Sequence, residues 1–500
     1  MLIDRVTSTY EHALQAAYYH IGNRGICVNT DRLVEARSIV AAEISRQLAI
    51  TSQLWGCKVF IGAANAPEEL KDGPFSGAVN LNATQGKYRL LDKLKILGYE
   101  VPKVSKKNED GEYESKESTE ELVLRKILQK NQFNYPGGDP SIKAILKVRE
   151  LGKLQSTYLN ARLLHRGDEV YYLSNYNVAG TVTGRRGSRR HTFGFGGNAQ
   201  NFPKWSDIAS LARRCFTARS GNILLMVDQI SAEDWPVSAL SENYNALAEL
   251  KAGVDRHTKL AADLFNIPIA SRTSKAWKDS MERYLGKKTR HATNYDERAT
   301  RMSESLIKEG FFYPIPQCQV LLDRMGVLDP NIKGIFHKWV REQVAKTRML
   351  VTPFGRERQF LSARPNDENS NVFKEAYAYI PQSTVGDNTG FSVLKLETEY
   401  PVEERYIVQE GHDSITQDIE DSCETVYKQL LRTQGAFVRA IRFHNGISVD
   451  IPIEAEVGYD FNTTVKIKSF DRNSVKLAIE ELKDTQKKLE AASLPQLVTA

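Results

Sequence analysis

At ~150 residues per domain, a chain of 500 residues is too long for one ordinary core and suggests about three domains. Hydrophobic residues at 41% and charged residues at 26% exclude wholesale disorder and a fibrous repeat, and a net charge of +6 is too mild to declare a nucleic-acid partner by itself. Cys27, Cys57, Cys215, Cys318 and Cys423 are scattered with no CxxC pair, which argues against a disulfide framework or zinc cluster and fits a reducing compartment. With no run of eighteen apolar residues and no apolar h-region in Met1 to His20, neither a membrane span nor a secretory signal is expected.

In chain order, residues 1–50 read as two helices broken at Gly22 to Gly25, with Ala13, Ala16, Ala17 and Ile21, then Leu33, Ala36, Ile39, Val40 and Ile44, at helical spacing. Ser105 to Ser118 has no apolar periodicity and reads as an exposed loop. Ser118 or Thr119 then caps a helix through Leu122, Val123, Leu124, Ile127 and Leu128, and another helix is expected over roughly 142–166. Val170 to Leu173 reads as a strand. The Gly- and Arg-rich stretch from Gly180 to Gly197 predicts a flexible, basic surface loop. Ile223 to Val227 is a short continuous apolar run, hence a buried strand, and it ends in Asp228. Residues 240–375 are mostly helical and basic; 406–450 reads strand, turn, strand, helix, strand. The two sheet pieces predict one α+β domain split by a helical insertion.

Three places depart from what packing alone selects. Asp228 follows a buried strand; taken alone it reads as a helix N-cap or turn residue. Gln409-Glu-Gly-His-Asp-Ser414 reads as a hairpin with His412 and Asp413 at the bend, alone an ordinary polar turn. Paired on adjacent strands, the two carboxylates suit two divalent cations ~3.5–4 Å apart, the geometry of in-line phosphoryl transfer. Magnesium fits because it is hard, prefers oxygen and keeps water and phosphate ligands. The third place is the helix Gly286-Lys-Lys-Thr-Arg-His-Ala-Thr-Asn-Tyr295. At ~100° per residue, Lys287, His291, Asn294, Tyr295 and Arg298 share one polar, basic stripe on a helix with almost no apolar face. That stripe reads as a solvated basic face, or as a cradle for a triphosphate with a stacked base.

These places, in this order, resemble motifs A, B and C of family A DNA polymerases, most like the phage-type branch. Motif A is Val227-Asp-Gln-Ile-Ser-Ala-Glu233, motif B the basic helix, and motif C His412-Asp-Ser414. Five further stretches agree: Thr183-Gly-Arg185 with Asn198-Ala-Gln-Asn-Phe-Pro203; Asp255-Arg-His257; Thr352-Pro-Phe-Gly-Arg356; Pro381-Gln-Ser-Thr384 with Asp387; and Gly152-Lys-Leu-Gln-Ser-Thr-Tyr158. The departures are Asp296 for a Gly after the motif B aromatic, His291 for a Lys, Ser414 for a Glu, and a longer, more basic Gly180–Gly197 segment.

The resemblance implies a right-hand architecture. Residues 1–50 would be helices packing on the palm, 51–165 the thumb, 166–240 and 376–500 the palm, and 241–375 the fingers. It implies a DNA-directed DNA polymerase that binds primer–template DNA and dNTP and adds deoxynucleotides to a primer 3′-OH by a two-metal mechanism, with two Mg²⁺ ions held by Asp228 and Asp413. His291 would be the acid for the departing pyrophosphate. Glu233, His257, Lys287, His291 and Tyr295 would bind nucleotide, and Lys153, Thr157, Arg185, Asn201, Gln382 and His412 would bind DNA. A role in phage genome replication, in the cytoplasm of an infected bacterium, goes with the phage-type spelling. The segment before residue 51 is shorter than a ~150–200-residue nuclease domain, so no attached 3′–5′ exonuclease is expected, and a separate exonuclease or processivity chain is a candidate partner. Two rivals remain at this point. One is a single-subunit RNA polymerase, which Glu233 opposes by crowding a sugar 2′-hydroxyl. The other is a non-catalytic nucleic-acid-binding protein, which retention of both aspartates opposes.

Overall fold

The computed structural model describes residues 6–62, 78–83, 89–107, 113–130, 138–203, 207–268, 277, 280–364 and 371–493. The chain divides into two compact units: Met1–Val34, Asn160–Glu297 and Leu321–Ala500 form one, Glu35–Leu159 and Arg298–Val320 the other.

The first unit is built on a five-stranded antiparallel sheet in the order Ile407–Glu410, Ser414–Glu420, Asn222–Gln229, Ile453–Gly458, Thr464–Ile467. The expected apolar run is its central strand, and the pairing of 222–229 with both 414–420 and 453–458 joins the two sheet pieces across the helical insertion. Alternation decides which face is covered. Ile223, Leu225 and Val227 point with Ile415, Ile419, Ala455, Val457 and Ile467 into one core, beneath helices Cys423–Phe437 and Arg472–Ser493. Each of these Ile, Leu and Val side chains stabilises the unit by about 1.5–3 kcal/mol relative to exposure. The other face carries Met226, Asp228, Ser414, Thr416, Glu454, Glu456 and Lys466, which line an open cavity of about 270 Å³.

The helix Ser8–Arg24 buries Tyr10, Leu14, Tyr18 and Ile21 and packs on helix Asn371–Thr398 and strand Ile407–Glu410. Thr7 caps it, its hydroxyl accepting from Tyr10 N at 3.1 Å. The second expected N-terminal helix, Thr30–Trp55, passes into the other unit at Glu35, so the expected boundary at residue 50 falls inside an element. A short strand, Ile26–Val28, separates the two helices; three residues are too few for a periodicity to register.

The helix Met281–Asn294 has a packed face after all, made of small rather than apolar side chains. Gly286, Thr289, Ala292 and Thr293 are buried on the side of helix Arg256–Phe265, where a Cβ on Gly286 would stand 2.9 Å from that of Ala261. The Gly- and Arg-rich stretch is likewise not a free loop. Gly187–Arg189 pairs with Asn175–Asn177, and Arg186 is 1% exposed. Glycine is what admits it: a Cβ on Gly390 would lie 1.9 Å from the Arg186 guanidinium.

In the second unit, helix Glu121–Lys130 packs on Pro140–Leu154 and on Ala299–Lys308, with Lys126 pairing to Glu304 at 2.9 Å. The sequence division assigns 298–320 to the fingers; the fold groups it here. The expected helix over 142–166 ends earlier, in a π-helical turn at Gln155–Leu159, and Leu164–Arg166 is a strand. The expected loop from Ser105 to Ser118 holds a hairpin, Lys103–Lys107 with Tyr113–Glu117, while 108–112 lie outside the described residues.

Candidate active site

Asp228 is the register partner of Ser414 on one side and of Glu454 on the other, all three on the open face of the sheet. Asp413 stands at the head of the neighbouring strand, its carbonyl accepting from Gln229 N at 3.1 Å and from Gln229 Nε2 at 3.3 Å. The sequence pairing of Asp228 with Asp413 is therefore met as a pairing of adjacent strand ends. Among the described residues no group of three or more His, Cys, Asp or Glu side chains is arranged around a metal position. Asp228 on the open cavity, with Asp413 at the head of the adjacent strand, still suits a cation that prefers oxygen and keeps water and phosphate ligands, which is the magnesium habit.

The Asp413 turn is held by several backbone hydrogen bonds. His412 adopts φ +77°, a left-handed conformation that costs a non-glycine residue about 1–3 kcal/mol. Its N–H donates to Glu410 Oε1 at 2.8 Å, and its carbonyl accepts from the Thr389 hydroxyl at 3.0 Å. Gly411 N donates to Ser414 O at 2.8 Å. Burial lifts the Glu410 carboxyl to about 7, against the pull of the Arg186 guanidinium. Burial, with Arg185 and Arg186 nearby, lowers His412 to about 4, so its ring is neutral at neutral pH.

Four predicted residues from four segments meet at Glu233. It starts helix Asp234–Leu240 just after the sharp turn at Ser231, φ +52°. Arg185 donates to one of its oxygens and the Tyr295 hydroxyl to the other. Gln382 hydrogen-bonds the same hydroxyl. Burial, then Glu233, raises Tyr295 well above the ordinary tyrosine range, so the phenol stays protonated and donates. Tyr295 is not on the helix face but at its C-cap. Asp296 follows with φ +54°, the left-handed geometry a glycine suits and an aspartate tolerates. The backbone thus accommodates the Asp296 departure in the left-handed geometry.

The expected basic stripe divides. Lys287 and His291 are exposed, whereas Asn294 and Tyr295 are buried, and Arg298 belongs to the second unit. Arg290 points inward, bound to Asp234 at 2.9 Å and Asp329 at 2.6 Å. Asp234 also holds Arg256 at 2.9 Å. His257 lies beside Asp234 and Lys287, and burial lowers its pKa, leaving a neutral ring. The sequence reading missed this inward network; its only signal was an acid pair, Glu233–Asp234, directly after a strand.

A second buried network joins three of the sequence motifs. Arg356 binds Asp387 at 2.8 Å and Glu11 at 2.9 Å, and Arg186 reaches the Tyr10 hydroxyl at 2.7 Å and lies 3.8 Å from Asp387. Of the Asn198–Pro203 segment, the predicted Asn201 is exposed, and the unpredicted Gln200 reaches the site, donating to Glu410 at 2.9 Å. Lys153, exposed in the last turn of Pro140–Leu154, and Thr157, in the π-helical turn after it, lie in the second unit.

The family model for DNA polymerase family A matches residues 75–463. The thermostable DNA polymerase I of Thermus filiformis is 27% identical over 347 residues, which cover 68% of this chain and 38% of that protein. That of Thermus aquaticus is 26% identical over 392 residues, covering 77% and 40%. The chain thus spans about two-fifths of the length of these curated relatives. The POL domain of Pol1 from M. smegmatis, solved in complex with DNA primer-template and dNTP, matches with a TM-score of 0.67 at 18% identity, covering 90% of this chain and 70% of that one. The fold is that of a right-hand polymerase, with palm, fingers and thumb. The chain belongs to DNA polymerase family A.

Proposed function

We propose that this protein is a DNA-directed DNA polymerase, transferring a deoxynucleotide from dNTP to a primer 3′-OH and releasing pyrophosphate. The observation that carries the reading is the placement of Asp228 on the open face of the sheet with Asp413 at the head of the adjacent strand. Asp228 and Asp413 would hold two Mg²⁺ ions, which when bound lower the pKa of the attacking 3′-OH and balance the charge of the triphosphate. The 3′-hydroxyl loses its proton to solvent, its oxygen forms the bond to the α-phosphorus as the bond to the bridging oxygen breaks, and the electron pair leaves on pyrophosphate.

The protein's own groups bind and orient. Lys287 supplies charge to the phosphates, His257 a hydrogen bond, and His291 a proton to the leaving pyrophosphate. Glu233, pinned by Arg185 and Tyr295, stands against a ribose 2′-hydroxyl, and this favours a DNA over an RNA polymerase. Arg185, Gln382 and His412 face the primer terminus, and Lys153, Thr157 and Asn201 the duplex. The phage-genome role, and with it the cytoplasm of an infected bacterium, rests on the motif spellings alone. Primer extension with purified protein tests the reading. Extension with dNTP and Mg²⁺, abolished by EDTA and at least a hundredfold weaker with rNTP, is expected. No extension of a primed template under these conditions overturns it.

A further inference from the structure

Glu410 is fully buried, adjoins the Asp413 turn and has no part in the chemistry above. Its two oxygens accept two different bonds: Oε1 from His412 N at 2.8 Å, Oε2 from Gln200 Nε2 at 2.9 Å. Both oxygens thus act as acceptors, and the Gln200 amide turns its NH₂ toward Glu410. The same Nε2 lies 3.4 Å from His412 Nδ1. With one of its hydrogens on Glu410, its other is directed at Nδ1, which must then be the bare, accepting nitrogen of a neutral ring. The ring proton consequently resides on Nε2. Among the described residues that nitrogen has no protein partner, and neither does Gln200 Oε1, on a side chain that lines the cavity beside Asp228.

We propose that Glu410 is a positioning residue that sets the hydrogen-bond polarity of Gln200 and His412, so that His412 offers an Nε2–H donor and Gln200 a carbonyl acceptor to the primer terminus. This rests on the polymerase reading for the identity of the ligand. The chemistry of that ligand follows from the groove. Every base pair presents an acceptor in the minor groove, purine N3 or pyrimidine O2. A fixed donor therefore suits any correctly paired terminus without reading its sequence, which a template-directed enzyme requires. A ring with the other tautomer would face that acceptor with a lone pair. The accepting Gln200 oxygen, by contrast, finds a partner only in a donor such as the guanine amino group or a sugar hydroxyl. A group three residues from Asp413 thus acts through two neighbours and touches neither DNA nor nucleotide.

The tautomer is measurable without activity. Two-bond ¹⁵N–¹H correlation spectra of histidine-labelled protein at pH 8.5, with the His412 signal assigned by its loss in His412→Gln, should show the Nε2–H form. In Glu410→Gln the side chain at 410 can donate, the Gln200 amide is free to turn over, and the Nδ1–H form should appear. Gln200→Met, which leaves Glu410 in place, removes the relay by a second route and should release the tautomer likewise. The functional arm uses a primer ending in 3-deaza-2′-deoxyguanosine, which lacks the minor-groove N3. Wild type should extend it about tenfold more slowly than the normal primer, the worth of one hydrogen bond, and the ratio should shrink to within about twofold in Glu410→Gln. A wild-type Nδ1–H ring, or an Nε2–H ring unchanged in both variants, overturns the relay. Wild type unable to extend even the normal primer while its ring is Nε2–H, released in both variants, supports the relay and overturns the polymerase reading instead.

Discussion

The Asp413 turn and the Lys287–His291 helix face are both expected to meet the same substrate, yet they are held in opposite ways. In the turn, the residues around the reacting carboxylate are themselves tied: His412 N, His412 O and Asp413 O each have a partner from a different element. On the helix, Lys287 and His291 are exposed, and the fastening lies behind them, in Arg290 between two buried aspartates and in His337 on the Asn294 carbonyl. A metal-ligand position must be fixed within a fraction of an ångström before substrate arrives, because the geometry is the catalysis. A phosphate-binding face gains from charge more than from placement, and long side chains on a firmly mounted helix suffice.

The largest expected effect tests the turn. Asp413→Ala should lower extension at least about a thousandfold while primer–template still shifts in a gel, because many phosphate contacts carry binding. Extension above about a hundredth of wild type sinks the metal-ligand role of Asp413. The second tests the mounting behind the helix. Arg290→Met takes the arginine from buried Asp329 and leaves Asp234 with Arg256 alone, and urea unfolding should register a loss of about 3–4 kcal/mol. Lys287→Ala, on the exposed face of the same helix, should alter stability by less than about 0.5 kcal/mol and instead raise the KM for dNTP. Equal stabilities for the two variants would erase the distinction between mounting and working face.

The sequence displayed one region more fully than the other. Asp228 and Asp413 are legible because a buried apolar strand and a tight hairpin leave few conformations open, and strand pairing then sets their relative position. The motif B helix is legible as a spacing, but the spacing does not say where the helix ends. Tyr295 was read as one more member of a stripe, whereas the helix stops at Asn294 and the ring turns inward at the cap. Arg290 and Arg186 were unreadable for a physical reason. A buried arginine requires partners from remote segments, Asp234 with Asp329 in one case and Tyr10 with Gly386 in the other, and no local pattern announces them. Gln200 was overlooked for the same reason: its partner Glu410 lies 210 residues away in sequence.

The helix mounting also carries a pH signature. His337 is 1% exposed, stacks on Tyr377 at 3.9 Å and bonds the Asn294 carbonyl at 2.9 Å, and burial lowers its pKa to about 4. The unfolded chain, with a histidine near ~6.5, takes up the proton first on acidification. Stability is therefore intact above the unfolded value and falls as pH drops from ~6.5 toward 4, by about 2 kcal/mol between pH 7 and pH 5 from this residue alone. His337→Gln should be less stable at pH 7 yet lose correspondingly less between the two, as read by urea unfolding at each pH. A wild type and variant with parallel pH profiles would place the loss elsewhere, and the mounting would then be insensitive to acid.

The smallest effect concerns Tyr295, where mounting and working surface coincide. Its ring is buried and its hydroxyl is committed to Glu233, so the phenol reaches the sugar site through a fixed donor rather than as a freely rotating group. A deoxynucleotide brings its own 3′-hydroxyl into that space, and a dideoxynucleotide leaves it vacant. With the phenol oxygen already in place the vacancy is polar and partly filled, and the two nucleotides should be incorporated at rates within about threefold of each other. Tyr295→Phe removes the hydroxyl with its bonds to Glu233 and Gln382, about 1–2 kcal/mol net, and should favour dNTP over ddNTP by roughly a further factor of ten. Arg185 remains on the other Glu233 oxygen, so normal extension should fall by less than about twofold. Competition assays of ddNTP against dNTP on both proteins measure the shift. A wild type that already rejects the terminator, with no change in Tyr295→Phe, would show that the hydroxyl serves Glu233 alone and that Tyr295 belongs to the mounting.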